Sequence, residues 1–161
     1  LHVRCHCYVS FLSSIVIMLW FLVKTCKSNF VTIEIDTFMN QWHHAAAVAD
    51  EEVFFGSMTA AGIYIGTDAS ELWRRDELKE WSKKYFARDT AWDFKPTTRN
   101  VYFSKDGQTA WFDELLDTWM GVCRSSGVLT QTDAGWKMQH YHLSVAVPND
   151  VIQDYIQLLK D

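Results

Sequence analysis

At 161 residues the chain has material for one domain with a substantial core. Aromatic side chains make up 15% of it, with Trp 8 but Gly 7 and Pro 2, which excludes disordered, fibrous and low-complexity readings. Residues 1–29 hold Arg4, Lys24 and Lys27 and no acidic group, so 12 of the 15 Lys and Arg remain against all 20 Asp and Glu, a net of −8. A domain that acidic repels phosphate backbones, and no nucleic-acid partner is expected.

Residues 9–23, VSFLSSIVIMLWFLV, carry no charge. That length suits the apolar core of a signal peptide better than a membrane span, which needs about 18–20 residues. No small-x-small cleavage site follows, and Val23-Lys24-Thr25-Cys26 is a poor lipoprotein box. Three readings stay open: an uncleaved signal or anchor, a mistranslated leader, or a buried helix. The expected division is a hydrophobic segment over 1–29 and a domain over 30–161. Location follows from that segment: exported or membrane-anchored if it is genuine, cytoplasmic otherwise, with membrane contact through it alone. Cys5, Cys7 and Cys26 lie in it, which leaves Cys123 and excludes an intradomain disulfide or a Cys-based zinc site.

In the domain, Val31, Ile35, Phe38, Met39, Trp42, Ala46 and Ala49 form one stripe and predict a helix over 32–49. His43 flanks that stripe and His44 opposes it. Val53, Phe54 and Met58 predict a second helix over 50–58. Gly62-Ile63-Tyr64-Ile65-Gly66 reads as a short strand. Asp68 and Glu71 have capping-box spacing, opening a helix over 70–87 with Leu72, Leu78, Trp81 and Tyr85 inward. Extended runs follow at 92–103, 109–119, 122–132 and 136–147. They are joined by Lys105-Asp106-Gly107, Met120-Gly121 and Asp133-Ala134-Gly135, hairpin chemistry that tolerates positive φ. Asp150 and Gln153 suggest a capped helix to 159. The class is α+β, helices first and then a long antiparallel sheet. Trp111, Leu115 and Trp119 alternate with Phe112 and Leu116, so both faces of the strands are apolar, and a second subunit docked on the sheet is the economical cover.

The residues carry a resemblance. Trp42-His43-x-Ala45-Ala46-x-x-x-Asp50, Tyr64-Ile65-Gly66-Thr67-Asp68, Glu71-x-Trp73 and Ala110-Trp111-Phe112-Asp113-Glu114 look like the SnoaL-like branch of the nuclear transport factor 2-like superfamily. So do Cys123-Arg124-Ser125-Ser126-Gly127-Val128-Leu129, Trp136-Lys137-Met138-x-x-Tyr141-x-Leu143 and Val147-Pro148-Asn149. The likeness spans residues 32–150. It implies a cone, with N-terminal helices packed on a long, curved antiparallel sheet, a short C-terminal helix, a pocket in the mouth, and a homodimer through the sheet. It implies no single activity. Ketosteroid isomerisation on this scaffold uses a Tyr and a protonated Asp to hold an enolate, with an Asp base. The matching positions here read Trp42, Gly127 and about Gly66, so that chemistry is not expected.

Other polar groups are candidates. His43, Asp113, Glu114 and Tyr141 are those for acid–base catalysis. Asp113 and Glu114 are adjacent on a strand and point to opposite faces, and Arg124 on the next strand is a natural partner for one of them. Trp42, Tyr64, Trp73, Trp81, Trp111, Arg124 and Tyr141 are the candidate ligand contacts, with Tyr85 and Trp92 also able to line a pocket. His140-x-His142 is half a metal site at most, so no metal and no cofactor is expected. No P-loop, dinucleotide fingerprint or nucleophile elbow occurs. Three functional readings remain. They are a domain binding a small apolar or aromatic molecule, an acid–base enzyme of isomerase, cyclase or dehydratase type, and a dimerisation module with a vestigial pocket.

Overall fold

The structure, a computed structural model, describes residues 31–160, so the expectations for 1–29 lie outside the described residues. The chain divides into two compact units, Leu1–Thr37 and Phe38–Asp161. In the first, residues 31–37 are helical, and Thr37 Oγ1 donates to the Ile33 carbonyl at 2.8 Å.

The second unit opens with helical residues 38–47, α1. Its end is set by Ala49, which takes φ 55° so that the Asp50 amide can reach back to the Ala45 carbonyl at 2.7 Å. Asp50 then accepts from the Val53 amide at 3.0 Å and caps α2 (Glu51–Gly56). The remaining elements are β1 (Met58–Ile65), β2 (Leu72–Arg74), α3 (Arg75–Phe86), β3 (Lys95–Phe103), β4 (Thr109–Thr118), β5 (Gly121–Thr132), β6 (Gly135–Val145) and α4 (Ile152–Leu158). The three hairpins turn on Gly107, Gly121 and Gly135, at φ 70°, 87° and 93°, where a Cβ would be strained.

Tertiary pairing corrects several expectations. The sheet runs β2-β1-β6-β5-β4-β3 and is mixed rather than antiparallel throughout, because β1 lies parallel to β6 with Tyr64 opposite Tyr141. That pairing extends the short strand expected at 62–66 back to Met58. The helix expected from 70 begins at Arg75, since Leu72-Trp73-Arg74 instead pairs antiparallel with β1. Asp68 and Glu71 cap a turn before β2, with the Asp68 amide donating to Glu71 Oε2 at 3.3 Å. The reach-back at the start of α3 runs from the Arg74 amide to Glu77 Oε2 at 2.9 Å. At α4 the cap residue is Val151, without a side-chain bond, so Asp150 does not serve there.

Period-two alternation gives the sheet its two faces. Ala110, Phe112, Glu114 and Leu116 of β4 are buried against the helices, as are Cys123, Ser125 and Leu129 of β5 and Tyr141 and Leu143 of β6. Trp42 of α1 packs on that face, stacked on Phe54 at 4.7 Å and edge-on to Tyr141 at 4.7 Å. Losing so large a buried ring costs about 3–5 kcal/mol. The other face keeps Tyr102, Trp111 and Val122 exposed, and α4 buries no residue. Among the described residues no helix is long and apolar enough to cross a membrane.

Candidate functional site

Two arrangements on the inner face could carry chemistry. The first is a sealed ionic cluster. Glu114 projects inward from β4 and is 1% exposed, His43 from α1 5% and Ser125 from β5 1%. His43 Nε2 lies 2.7 Å from Glu114 Oε1, and Ser125 Oγ donates to the same oxygen at 2.7 Å. Arg99 of β3, directly opposite Glu114 in the ladder, donates from Nε to Oε2 at 2.8 Å. Its Nη2 sits 2.8 Å from that same oxygen as an ion-pair contact, less well aligned than the Nε bond. Asn40 Oδ1 accepts from Arg99 Nη1 at 3.1 Å.

Burial alone would raise the Glu114 carboxyl. The His43 hydrogen bond, the charges of His43 and Arg99, and the Ser125 hydroxyl outweigh it and hold the group below the usual carboxylate range. Glu114 is thus an anion with both oxygens occupied. Tyr141 lies beside the cluster, 1% exposed, and among the described residues its hydroxyl has no hydrogen-bond partner. Burial, then the nearby Tyr64 and Glu114, push its phenol well up; the Ser125 hydroxyl opposes them by proximity, without the geometry of a hydrogen bond.

The second arrangement is a cavity of about 300 Å³ among β1, β2, α3 and the turn after β4. Its wall is a run of aromatic rings. Tyr64 is 6.4 Å from Trp73, Trp73 is 4.6 Å from Trp81, Trp81 is 5.1 Å from Tyr85, and Tyr85 is 5.7 Å from Trp92. Phe94, Trp119 and Leu143 add to its apolar lining. Arg88, Glu71 and Thr67 supply polar groups. Tyr64 is 7% exposed, and burial, helped by the Glu71 charge, pushes its phenol up. The Glu71 carboxylate fills the space a side chain at Gly66 would take.

The structure distributes the expected site residues between these places and the far side of the sheet. Tyr64, Trp73 and Trp81 line the cavity. Tyr141 stacks behind Tyr64 at 5.1 Å without lining it. Trp42 is interior, its indole N–H bound to the Phe54 carbonyl at 3.1 Å. His43 and Glu114 come together, but neither lines the cavity. Asp113, Trp111 and Arg124 lie on the opposite face, since strand alternation turns them away. There Asp113 accepts from Asn100 Nδ2 at 3.0 Å and Tyr102 Oη at 3.2 Å. Arg124 is therefore not the carboxylate's partner; Arg99 is. Counting outward from the Gly107 hairpin would have placed 99 opposite 114. His140 and His142 share that far face through the same alternation, and among the described residues no group of three or more metal-ligating side chains gathers. Glu71, Arg88 and Trp119 had no local signal, because only the docking of α3 and the β4–β5 turn makes them neighbours. Gly127 closes the question of a carboxylate there: a Cβ would sit 2.6 Å from the His140 carbonyl oxygen and 2.7 Å from the Phe112 ring.

Comparison with known proteins agrees with this architecture. The family model described as "SnoaL-like domain" matches residues 35–148. No curated protein matches the sequence significantly. Among solved structures, a candidate dehydratase of the NTF2-like family from Streptomyces avermitilis is similar at 16% identity and TM-score 0.64, over 75% of this chain and 99% of that one. An NTF2-like protein of unknown function from Pseudomonas putida KT2440 is similar at 13% identity and TM-score 0.63, over 76% and 92%. A candidate ketosteroid isomerase from Shewanella frigidimarina is similar at 18% identity and TM-score 0.52, over 67% and 92%. At these identities the likeness is one of fold.

Proposed function

The chain belongs to the SnoaL-like domain family, and from that premise we propose that it is a small-molecule-binding domain whose ligand occupies the aromatic cavity. The observation that carries this reading is the cavity of about 300 Å³ with its continuous wall of Trp and Tyr rings, at the small end of the range for ligand sites. The His43–Glu114–Arg99 cluster is structural in this reading. A general base must reach the proton it takes, whereas Glu114 is 1% exposed with both oxygens bound. The test is thermal melting of the protein against a panel of one- to four-ring apolar molecules. A ligand at about 100 times its Kd adds roughly 2.7 kcal/mol to the native state. Trp73→Ala should abolish the shift. A panel that moves the melting temperature of neither protein refutes the reading.

A second reading rests on Glu71 and Tyr64, a carboxylate and a phenol in one wall. With Glu71 taking a proton α to a carbonyl and Tyr64 donating to its oxygen, the cavity would run acid–base chemistry. Deuterium exchange into 2-tetralone, followed by NMR, should then be accelerated by the native protein and not by Glu71→Gln. Equal exchange with both proteins excludes it.

The domain is proposed to pair through the sheet face that turns away from α1. Tyr102 and Trp111 are each 44% exposed there and stack at 5.9 Å, and Val122 is 54% exposed. A two-fold contact of roughly 1,200–2,000 Å² would cover them. Sedimentation should give twice the chain mass, and Trp111→Lys should return the monomer; a native monomer at micromolar concentration defeats the proposal.

A further inference from the structure

The cavity lining carries the donor groups of Tyr64, Trp73, Trp81 and Trp92, with Arg88 and Glu71 as its charged side chains. Among the described residues the Tyr64 hydroxyl has no hydrogen-bond partner, although the residue is 7% exposed and lines the space. The indole N–H groups of Trp73, Trp81 and Trp92 are likewise without acceptors among the described residues. A ligand in the cavity could offer acceptors to these groups.

The last turn of α3 carries Lys84, and Arg88, just after the helix, lines the cavity. Lys84 Nζ and the Arg88 guanidinium each lie 5.0 Å from the Tyr85 ring, and Lys84 is also 5.6 Å from Trp81. Among the described residues neither has a carboxylate within ion-pair distance, whereas neighbouring Lys83 pairs with Glu80 and Lys79 with Glu51. In a domain of net charge −8, Arg88 puts an unpaired cation in the lining of an aromatic cavity. Glu71, the one carboxylate lining the cavity, lies against Gly66 beside Tyr64.

Size narrows the occupant. The volume of about 300 Å³ equals roughly ten water molecules at about 30 Å³ each. It suits one or two rings, and a four-ring skeleton would protrude.

We propose, resting on the cavity being a ligand site, that it takes a one- or two-ring aromatic carboxylate. The ring lies against Trp73 and Trp81, the carboxylate meets Arg88 at the mouth, and a hydroxyl or carbonyl oxygen accepts from Tyr64. A hydroxyl would also donate to Glu71. The aromatic wall supplies affinity, and the guanidinium supplies selection for the anion.

The experiment is calorimetric titration of the full chain with 4-hydroxycinnamate, its methyl ester and naphthalene. The acid should bind about tenfold or more tightly than the ester, the effect of one charge-assisted hydrogen bond. Arg88→Gln, at an exposed position, should keep the native melting temperature, still bind the ester, and bring acid and ester to equal affinity. Tyr64→Phe should weaken both several-fold and preserve their ratio. An ester that binds as tightly as the acid overturns the anionic class while leaving a neutral ligand site standing. So does an Arg88→Gln protein that keeps the native preference. Failure of all three probes to bind overturns this proposal and the binding reading together.

Discussion

Replacing Glu114 by Gln tests the account of the inner cluster. The substitution keeps the shape of the side chain and removes its charge. Arg99, 6% exposed, then loses the carboxylate against its Nε and Nη2, and His43 loses the acceptor at 2.7 Å. Breaking a buried ion pair by removing one partner costs about 3–5 kcal/mol. Against a total of about 5–15 kcal/mol for a domain, that is a large fraction. Urea denaturation followed by Trp fluorescence and by far-ultraviolet circular dichroism should show the midpoint fall with an unchanged slope. The pH profile gives an independent check. Glu114 is held below the usual carboxylate range in the folded protein, so its contribution is fully present above that range. It is lost as pH falls through the depressed folded value. The native protein should therefore show an acid limb that Glu114→Gln lacks. If Glu114→Gln lies within about 1 kcal/mol of the native protein, or if both share one acid limb, the cluster is not the structural tie described here.

Other outcomes follow from single positions. Gly127→Ala should destabilise by roughly 1–3 kcal/mol in denaturant melts, because its Cβ would overlap the Phe112 ring and the His140 carbonyl. Ala49→Gly should stabilise by about 0.5–1 kcal/mol in the same assay, since Ala49 holds φ 55° where glycine is unstrained. A chain beginning at Asn29 should fold cooperatively and stay soluble; loss of a cooperative melt relative to the full chain would place residues before Asn29 in the core.

What the sequence determined by itself is everything that depends on near neighbours. The hairpin glycines at 107, 121 and 135 and the alternation along 109–132 were enough to mark the β3–β6 strands and to put Asp113 and Glu114 on opposite faces. The stripe through Met39, Trp42 and Ala46 was enough for α1. These signals are local because turn conformation and side-chain direction are set within a few residues. The parallel pairing of β1 with β6 joins segments about 75 residues apart in the ladder Tyr64–Tyr141, and no short-range pattern encodes it. The same distance problem hid β2: Leu72, Leu78, Trp81 and Tyr85 fit one helical face, but the hydrogen bonds offered by the edge of β1 took Leu72–Arg74 into the sheet. The site divided along this line too. Composition showed that many aromatic rings had to be somewhere inside. Only the docking of α1 and α3 decided that Trp42 and Tyr141 would fill the interior while Trp73, Trp81 and Trp92 would wall a cavity. A ring becomes core or lining according to what faces it across the gap, and that is settled by elements remote in sequence.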